Sequence, residues 1–226
     1  MSVDELSAST QNYVKAVWGL SEWSEEPVTP SLIAQRTGLK LSSASDAVRR
    51  LTEQGLLAHA PYGSVQLTEA GRAHALSMVR RHRLIETFLV ETLGYRWDQV
   101  HDEAETLEHA VSDFMVERID ELLGRPARDP HGDPIPTADG TVSRPDARRL
   151  TEVGAQERVV VERISDADPA LLQFFEGHGI GVGAVLAVED GPPFSDALAV
   201  RTEGADDPVP LGRSATDALY VSGAPA

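Results

Sequence analysis

The chain has 226 residues, 41% of them apolar and 25% charged, which is long enough for more than one domain with a real core, and its net charge is −16. It has no cysteine, which excludes disulfides, thiolate zinc sites and a cysteine nucleophile, so a bound metal must be held by His, Asp, Glu, amide or backbone oxygen. No run approaches the roughly 18 apolar residues of a membrane span, and the acidic, Ser-rich start lacks the basic and apolar regions of a signal peptide; the expectation is a cytoplasmic protein with no membrane partner.

Ser9 or Thr10 can cap a first helix in which Val14, Val17, Trp18 and Leu20 keep helical spacing. The stretch VTPSLIAQRTGLKLSSASDAVRRLTEQGLL then predicts a short helix from Thr29 to Thr37, a turn at Gly38 to Leu41 and a second helix capped by Ser42 or Ser43, the shape of a helix-turn-helix. Leu56 to Ala60 and Ser64 to Thr68 flank Tyr62-Gly63 as a two-stranded wing, and Thr68 restarts a helix. Residues 1–73 therefore read as a winged helix-turn-helix DNA-binding domain.

An acidic chain is an awkward partner for phosphate, but the charge is unevenly spread. Residues 1–75 hold six Lys or Arg against eight Asp or Glu, whereas residues 76–226 hold fourteen against twenty-eight. Between Ile33 and Arg50 the balance is positive, with Arg36, Lys40, Arg49 and Arg50 against Asp46. On the second helix Ala44, Ala47, Val48 and Leu51 face inward, which leaves Ser42, Ser43, Ser45, Asp46, Arg49 and Arg50 for a groove. Lys40 and Arg50 are the expected charge contacts, the serines can reach phosphates or base edges, and Asp46 can accept from cytosine N4. Tyr62 at the wing joins this DNA-binding set.

Residues 74–125 read as helical, with one helix through His82 and Phe88 to Thr92 and a second from Trp97 to Leu123. Leu84, Phe88, Leu89, Val100, Leu107, Val111, Phe114, Met115 and Ile119 are more apolar surface than one thin domain covers, which predicts a homodimer. A rotation of about 100° per residue places His101, Glu105, Glu108 and His109 in one arc and pairs His82 with Glu86 one turn apart. Any one of these alone is an ordinary solvated helix face. Together they are carboxylates that repel unless a cation lies between them, and hard nitrogen and oxygen donors favour Mn(II) or Fe(II). Zn(II), Co(II) and Cd(II) can act as surrogates at such a site.

Residues 126–147 form a Pro/Gly/Asp-rich linker that cannot be a central strand, with His131 inside it. His59, His74, His131 and His178 lack comparable company and read as ordinary. Residues 148–226 alternate short β-type runs at Glu157 to Ile164, Ala184 to Val188, Ala197 to Thr202, Val209 to Leu211 and Ala218 to Val221, with a helix at Pro169 to Glu176, which predicts a small five-stranded barrel. No HExxH or GxSxG motif is present, so the chain does not read as an enzyme. A metal-dependent hydrolase or metal-storage protein is the alternative from another class.

The segments RRHRLIETFL, GYRWDQVHDEAETLEHAVSD, RDPHGDPIP and RISDADP resemble the diphtheria toxin repressor and iron-dependent regulator family, most closely its actinobacterial manganese transport regulators, over nearly the whole chain. The resemblance implies an α+β protein: an N-terminal winged helix-turn-helix, an all-helical dimerisation domain and a C-terminal SH3-like β-barrel. It implies a primary metal site at Asn12, Glu105, Glu108 and His109 and an ancillary site at His82, Glu86, His101 and Asp168, with Leu171 where a second barrel ligand would stand. Iron-sensing members carry cysteine at the position of Glu105, and manganese-sensing members a carboxylate. Manganese members usually have aspartate at Asn12, and the short ones a glutamate at Lys15. The implied function is a manganese-activated repressor of metal-uptake genes on a palindromic double-stranded operator, with an iron(II)-dependent regulator as the alternative.

Overall fold

The structure, a computed structural model, describes residues 6–59 and 63–224, so the expected wing residue Tyr62 lies outside the described residues. Helix α1 (Ala8–Glu22) starts before the expected caps because the Ser7 side chain takes that role, accepting from the Thr10 N–H. In α2 (Pro30–Thr37) Thr29 caps the start, Pro30 fills the first turn, and Gly38 ends the helix in the left-handed region. Helix α3 (Leu41–Glu53) begins directly after Lys40, so neither Ser42 nor Ser43 is the cap; both lie exposed in its first turn. Strands β1 (Leu57–His59) and β2 (Val65–Leu67) pair antiparallel, Leu57 opposite Leu67 and His59 opposite Val65. Thr68 Oγ1 accepts from the Gly71 N–H at 3.0 Å and donates to the Gly55 carbonyl at 2.7 Å, which joins the wing to α4 (Glu69–Glu91). One apolar cluster unites these elements, with Val14, Val17 and Trp18, Ile33, Val48 and Leu51, Leu57 and Val65, and Leu76 and Val79.

The helix expected from Trp97 to Leu123 is instead broken. A short turn of 3-10 helix over Trp97–Gln99 leads into α5 (Val100–Leu107), and after a turn α6 (Asp113–Leu122) follows. The break has a cause 27 residues upstream of Glu108. The guanidinium of the buried Arg81 donates to the Glu108 carbonyl at 3.3 Å and to the Val111 carbonyl at 3.1 Å, and it pairs with Asp113. Carbonyls taken by a guanidinium are lost to the helical ladder.

The C-terminal part holds β3 (Arg148–Arg149), β4 (Arg158–Ile164), α7 (Pro169–Gly177), β5 (Val185–Asp190), β6 (Leu198–Thr202), β7 (Val209–Leu211), α8 (Arg213–Ala218) and β8 (Leu219–Gly223). Its six strands make one antiparallel sheet in the order β3-β8-β4-β5-β6-β7. Five of them lie where alternation predicts strands. The two-residue β3 and helix α8 are additions the pattern does not announce. The sheet covers a second core of Val159, Val161, Ile164, Phe175, Leu186, Val188, Val200, Leu219 and Val221.

The chain divides into two compact units. One comprises residues 1–82, 107–117 and 136–142, and the other residues 83–106, 118–135 and 143–226. The helical segment 74–125 is thus shared between units, and the linker divides after Ile135. In the second unit the first half of that linker is built in rather than loose. Asp129, His131, Gly132, Asp133 and Ile135 are buried, Asp129 Oδ1 accepts from the amides of His131 and Asp133 at 2.9 Å each, and the Ile164 N–H donates to the His131 carbonyl at 2.9 Å. Gly132 has φ +90°, and a Cβ there would stand 2.1 Å from the Glu162 carbonyl oxygen. Gly132→Ala is therefore expected to lower stability by at least about 2 kcal/mol in a denaturant titration. A midpoint equal to that of the parent would contradict the close approach.

Candidate metal centres and nucleic-acid interface

Within the first unit the donors gather on a carboxylate. Glu108 is fully buried, with both carboxylate oxygens 2.7 Å from Lys15 Nζ and Oε2 2.5 Å from His82 Nδ1. The neighbouring His109 donates from Nδ1 to Gln11 Oε1 at 2.6 Å, leaving Nε2 as the lone-pair nitrogen, 3.6 Å from Glu108 Oε1. That Nε2 is buried and makes no hydrogen bond. An imidazole whose first nitrogen is committed and whose second is buried without a donor fits a metal ligand. A cavity of about 290 Å³, lined by Leu6, Ala8, Gln11, His109 and Ser112, lies beside it.

The position of α1 sets which of its side chains reach these donors. Val14, Val17 and Trp18 fix the buried face of the helix, and Gln11 lies on that side while Asn12 is exposed. The α1 side chains at this carboxylate and imidazole are Gln11 and Lys15, not Asn12. His82, which follows Arg81 on α4, also meets this carboxylate through its Nδ1.

The second unit holds a larger set. His101 Nδ1 lies 2.8 Å from Asp166 Oδ2 and 3.4 Å from Glu86 Oε1, and its Nε2 is 3.8 Å from Glu105 Oε1. Asp166 stands where Asp168 was expected. Asp168 is exposed and spent as the cap of α7, accepting from the Ala170 and Leu171 amides. Potential ligand atoms of Glu86, Asp129 and His131, all three buried, lie within 4.8 Å of one another. His131 repeats the pattern of His109: its Nε2 donates to the Trp97 carbonyl at 2.9 Å, its ring stacks on Trp97 at 5.8 Å, and its buried Nδ1 makes no hydrogen bond. Neither Asp129 nor His131 stands out by periodicity, because both lie in the Pro/Gly segment. The only signal was their place in DPHGDPIP.

The electrostatics of this cluster are those of crowded carboxylates. Burial and the charges of Asp133 and Glu86 push Asp129 well above the usual carboxylate range, against the lowering effect of Arg83. Burial alone would pull His101 down, but hydrogen bonds to Asp166 and Glu86 and the charge of both carry it up to about 10. Asp166, which burial alone would raise, is held well below its ordinary value by His101, His131 and Arg163. A dication held here would replace a proton on His101. Metal titrations in two buffers of different ionisation enthalpy should therefore show at least one proton released per ion, with affinity rising about tenfold per pH unit near neutrality. Uptake without proton release would remove His101 from the ligand set.

Lys40, at the N-cap of α3, and Ser42, Ser43, Ser45, Asp46, Arg49 and Arg50 on the helix are all exposed, while Ala44, Ala47, Val48 and Leu51 are buried. Arg49 lies 3.7 Å from Asp46 and 3.7 Å from Glu53, so the acid at the centre of this face partners a neighbouring arginine. Leu39 and Leu41 flank Lys40 and are about half exposed. On α6, Phe114 is 77% exposed and Met115 46%, apolar surface left uncovered by the first unit.

A helix-turn-helix with an exposed Ser- and Arg-bearing face, in a chain that also carries clustered buried His and carboxylate donors, fits a metal-dependent, DNA-binding regulator of transcription. Family models agree segment by segment: "Iron dependent repressor, N-terminal DNA binding domain" matches residues 5–65, "Iron dependent repressor, metal binding and dimerisation domain" residues 68–137, and "FeoA domain" residues 148–222. The chain is 33% identical over 204 residues to the iron-dependent repressor IdeR of Mycobacterium leprae, covering 84% of this chain and 87% of that one. A solved structure described as a manganese-dependent transcriptional repressor in complex with manganese superposes with a TM-score of 0.91 at 50% identity, over 95% of this chain and 100% of that one. The manganese regulator SloR gives 0.79 at 30% identity, over 95% and 98%. The chain belongs to the iron-dependent repressor family, that of the diphtheria toxin repressor, and is a metal-dependent transcriptional repressor with a DNA-binding domain and a dimerisation domain. No helix among the described residues is long and apolar enough to cross a membrane.

Proposed function

We propose that this repressor is activated by Mn(II), binds a palindromic operator as a homodimer and represses manganese-uptake genes. The observation that carries the metal assignment is the second-unit donor set of Glu86, His101, Asp129, His131 and Asp166. It consists only of oxygen and nitrogen, with two buried carboxylates around a nitrogen that has no hydrogen bond. Hard donors without sulfur suit Mn(II), and the chain contains no cysteine to offer a softer ion. The 50% identical relative is itself described with manganese. Iron(II) is the second reading, favoured by the iron-dependent repressors among the relatives.

Metal bound at Glu108 and His109 would supply a divalent charge that both groups can share. Gln11 then links that turn to α1, and α1 packs on Ile33 and Val48 of the helix-turn-helix through one core. Exposed Ser42, Ser43 and Arg50 approach base edges and phosphates, with Lys40 adding charge at the helix start. Two copies read two half-sites about one helical turn apart.

Mobility shifts on the upstream region of a manganese-transport gene should show binding with Mn(II) and at least about tenfold weaker binding after chelation. Equal binding in both conditions contradicts the proposal, and a response to anaerobic Fe(II) alone favours the iron reading. Phe114→Glu places a charge on the exposed α6 surface, and sedimentation is expected to show a shift from dimer toward monomer; an unchanged dimer would remove this surface from the subunit contact.

A further inference from the structure

The first-unit carboxylate already has a cation. Lys15 Nζ lies 2.7 Å from both oxygens of Glu108, so the ammonium stands on the carboxylate bisector, the position a chelating metal would take. Glu108 is 0% exposed and the Lys15 side chain 16%, so solvent does little to weaken the pair. Lys15 Nζ is also 3.3 Å from His82 Nδ1, which in turn meets Glu108. The three groups form a closed, compensated cluster on α1, α4 and the turn after α5.

We propose that Lys15 is a tethered competitor for the metal: its ammonium holds Glu108 until a dication displaces it, and so raises the metal concentration at which the repressor responds. This rests on the reading of Glu108 as a metal ligand. A dication chelated by Glu108 and an ammonium on the same bisector cannot both remain within van der Waals distance of those oxygens without strong repulsion. Occupancy is therefore exchange of one cation for another rather than filling of a naked carboxylate. The same exchange frees the Lys15 side chain of α1, so the residue that sets the threshold sits on the helix that leads to the DNA-binding core. Competition by a built-in charge raises the apparent dissociation constant of every ion by the same factor, because each ion must first repay the lost ion pair.

The test is Mn(II) affinity of the full chain, read by calorimetry and by the electron paramagnetic resonance signal of free Mn(II). Lys15→Met and Lys15→Gln each remove the charge and are expected to tighten one class of Mn(II) site by about tenfold, while Lys15→Arg, which keeps the charge, stays within about threefold of the parent. Thermal melts without metal identify a variant that does not fold, and the other neutral variant then decides. Folded neutral variants with unchanged or weaker Mn(II) binding at every site would overturn the proposal. Glu108→Gln separates the two levels: if it weakens Mn(II) binding while the Lys15 variants change nothing, competition alone fails. If Glu108→Gln also changes nothing, Glu108 is not a ligand and both readings fall.

Discussion

Buried negative charge is the constraint around which this protein is organised. Glu86, Glu108, Asp129 and Asp133 are all buried, and a carboxylate out of water is tolerated only when a cation or several hydrogen bonds compensate it. The chain supplies part of that compensation from its own residues. Lys15 and His82 meet Glu108, Arg83 and Arg163 meet Asp133, and His101 meets Glu86 and Asp166. Histidines 109 and 131 nevertheless keep a buried nitrogen without a hydrogen bond beside these acids, a pattern that makes sense for groups that share a dication.

The same constraint explains why local structure departs from regular helix at these points. Arg81 is buried, and its guanidinium satisfies the Glu108 and Val111 carbonyls, which ends α5 and lets Glu108 and His109 sit in a turn rather than on a helix face. In the second unit the Asp129 carboxylate gathers two amides of its own loop, and Gly132 lets that loop pass within contact of β4. Glu108, His109, Asp129 and His131 are thus held by short irregular segments, whereas Glu86 and His101 lie on α4 and α5.

Much of the fold could be read from the chain because it is written locally. Caps at Thr29 and Thr68, the left-handed Gly38 and the alternation from Arg158 to Ile164 need no distant partner. The site was less legible, for identifiable reasons. One residue of rotation separates the exposed Asn12 from the buried Gln11, and only the packing of α1 decides which faces His109. Asp168 precedes Pro169 at a helix start, a local signal that it serves as a cap, whereas the pairing of Asp166 with His101 is long-range. The break at Glu108 depends on Arg81, and no period within α5 encodes it. His131 looked ordinary because a Pro/Gly segment has no face to compare it with.

The central claim is that a cation at Glu108 and His109 ties α1 to the turn after α5 and so orders the reading head. Amide hydrogen exchange with and without Mn(II) measures this directly. Slower exchange is expected on Mn(II) addition across residues 8–22 and 108–112, with the C-terminal strands β5 to β7 unchanged. Saturating Mn(II) that leaves exchange in α1 as it was would contradict it.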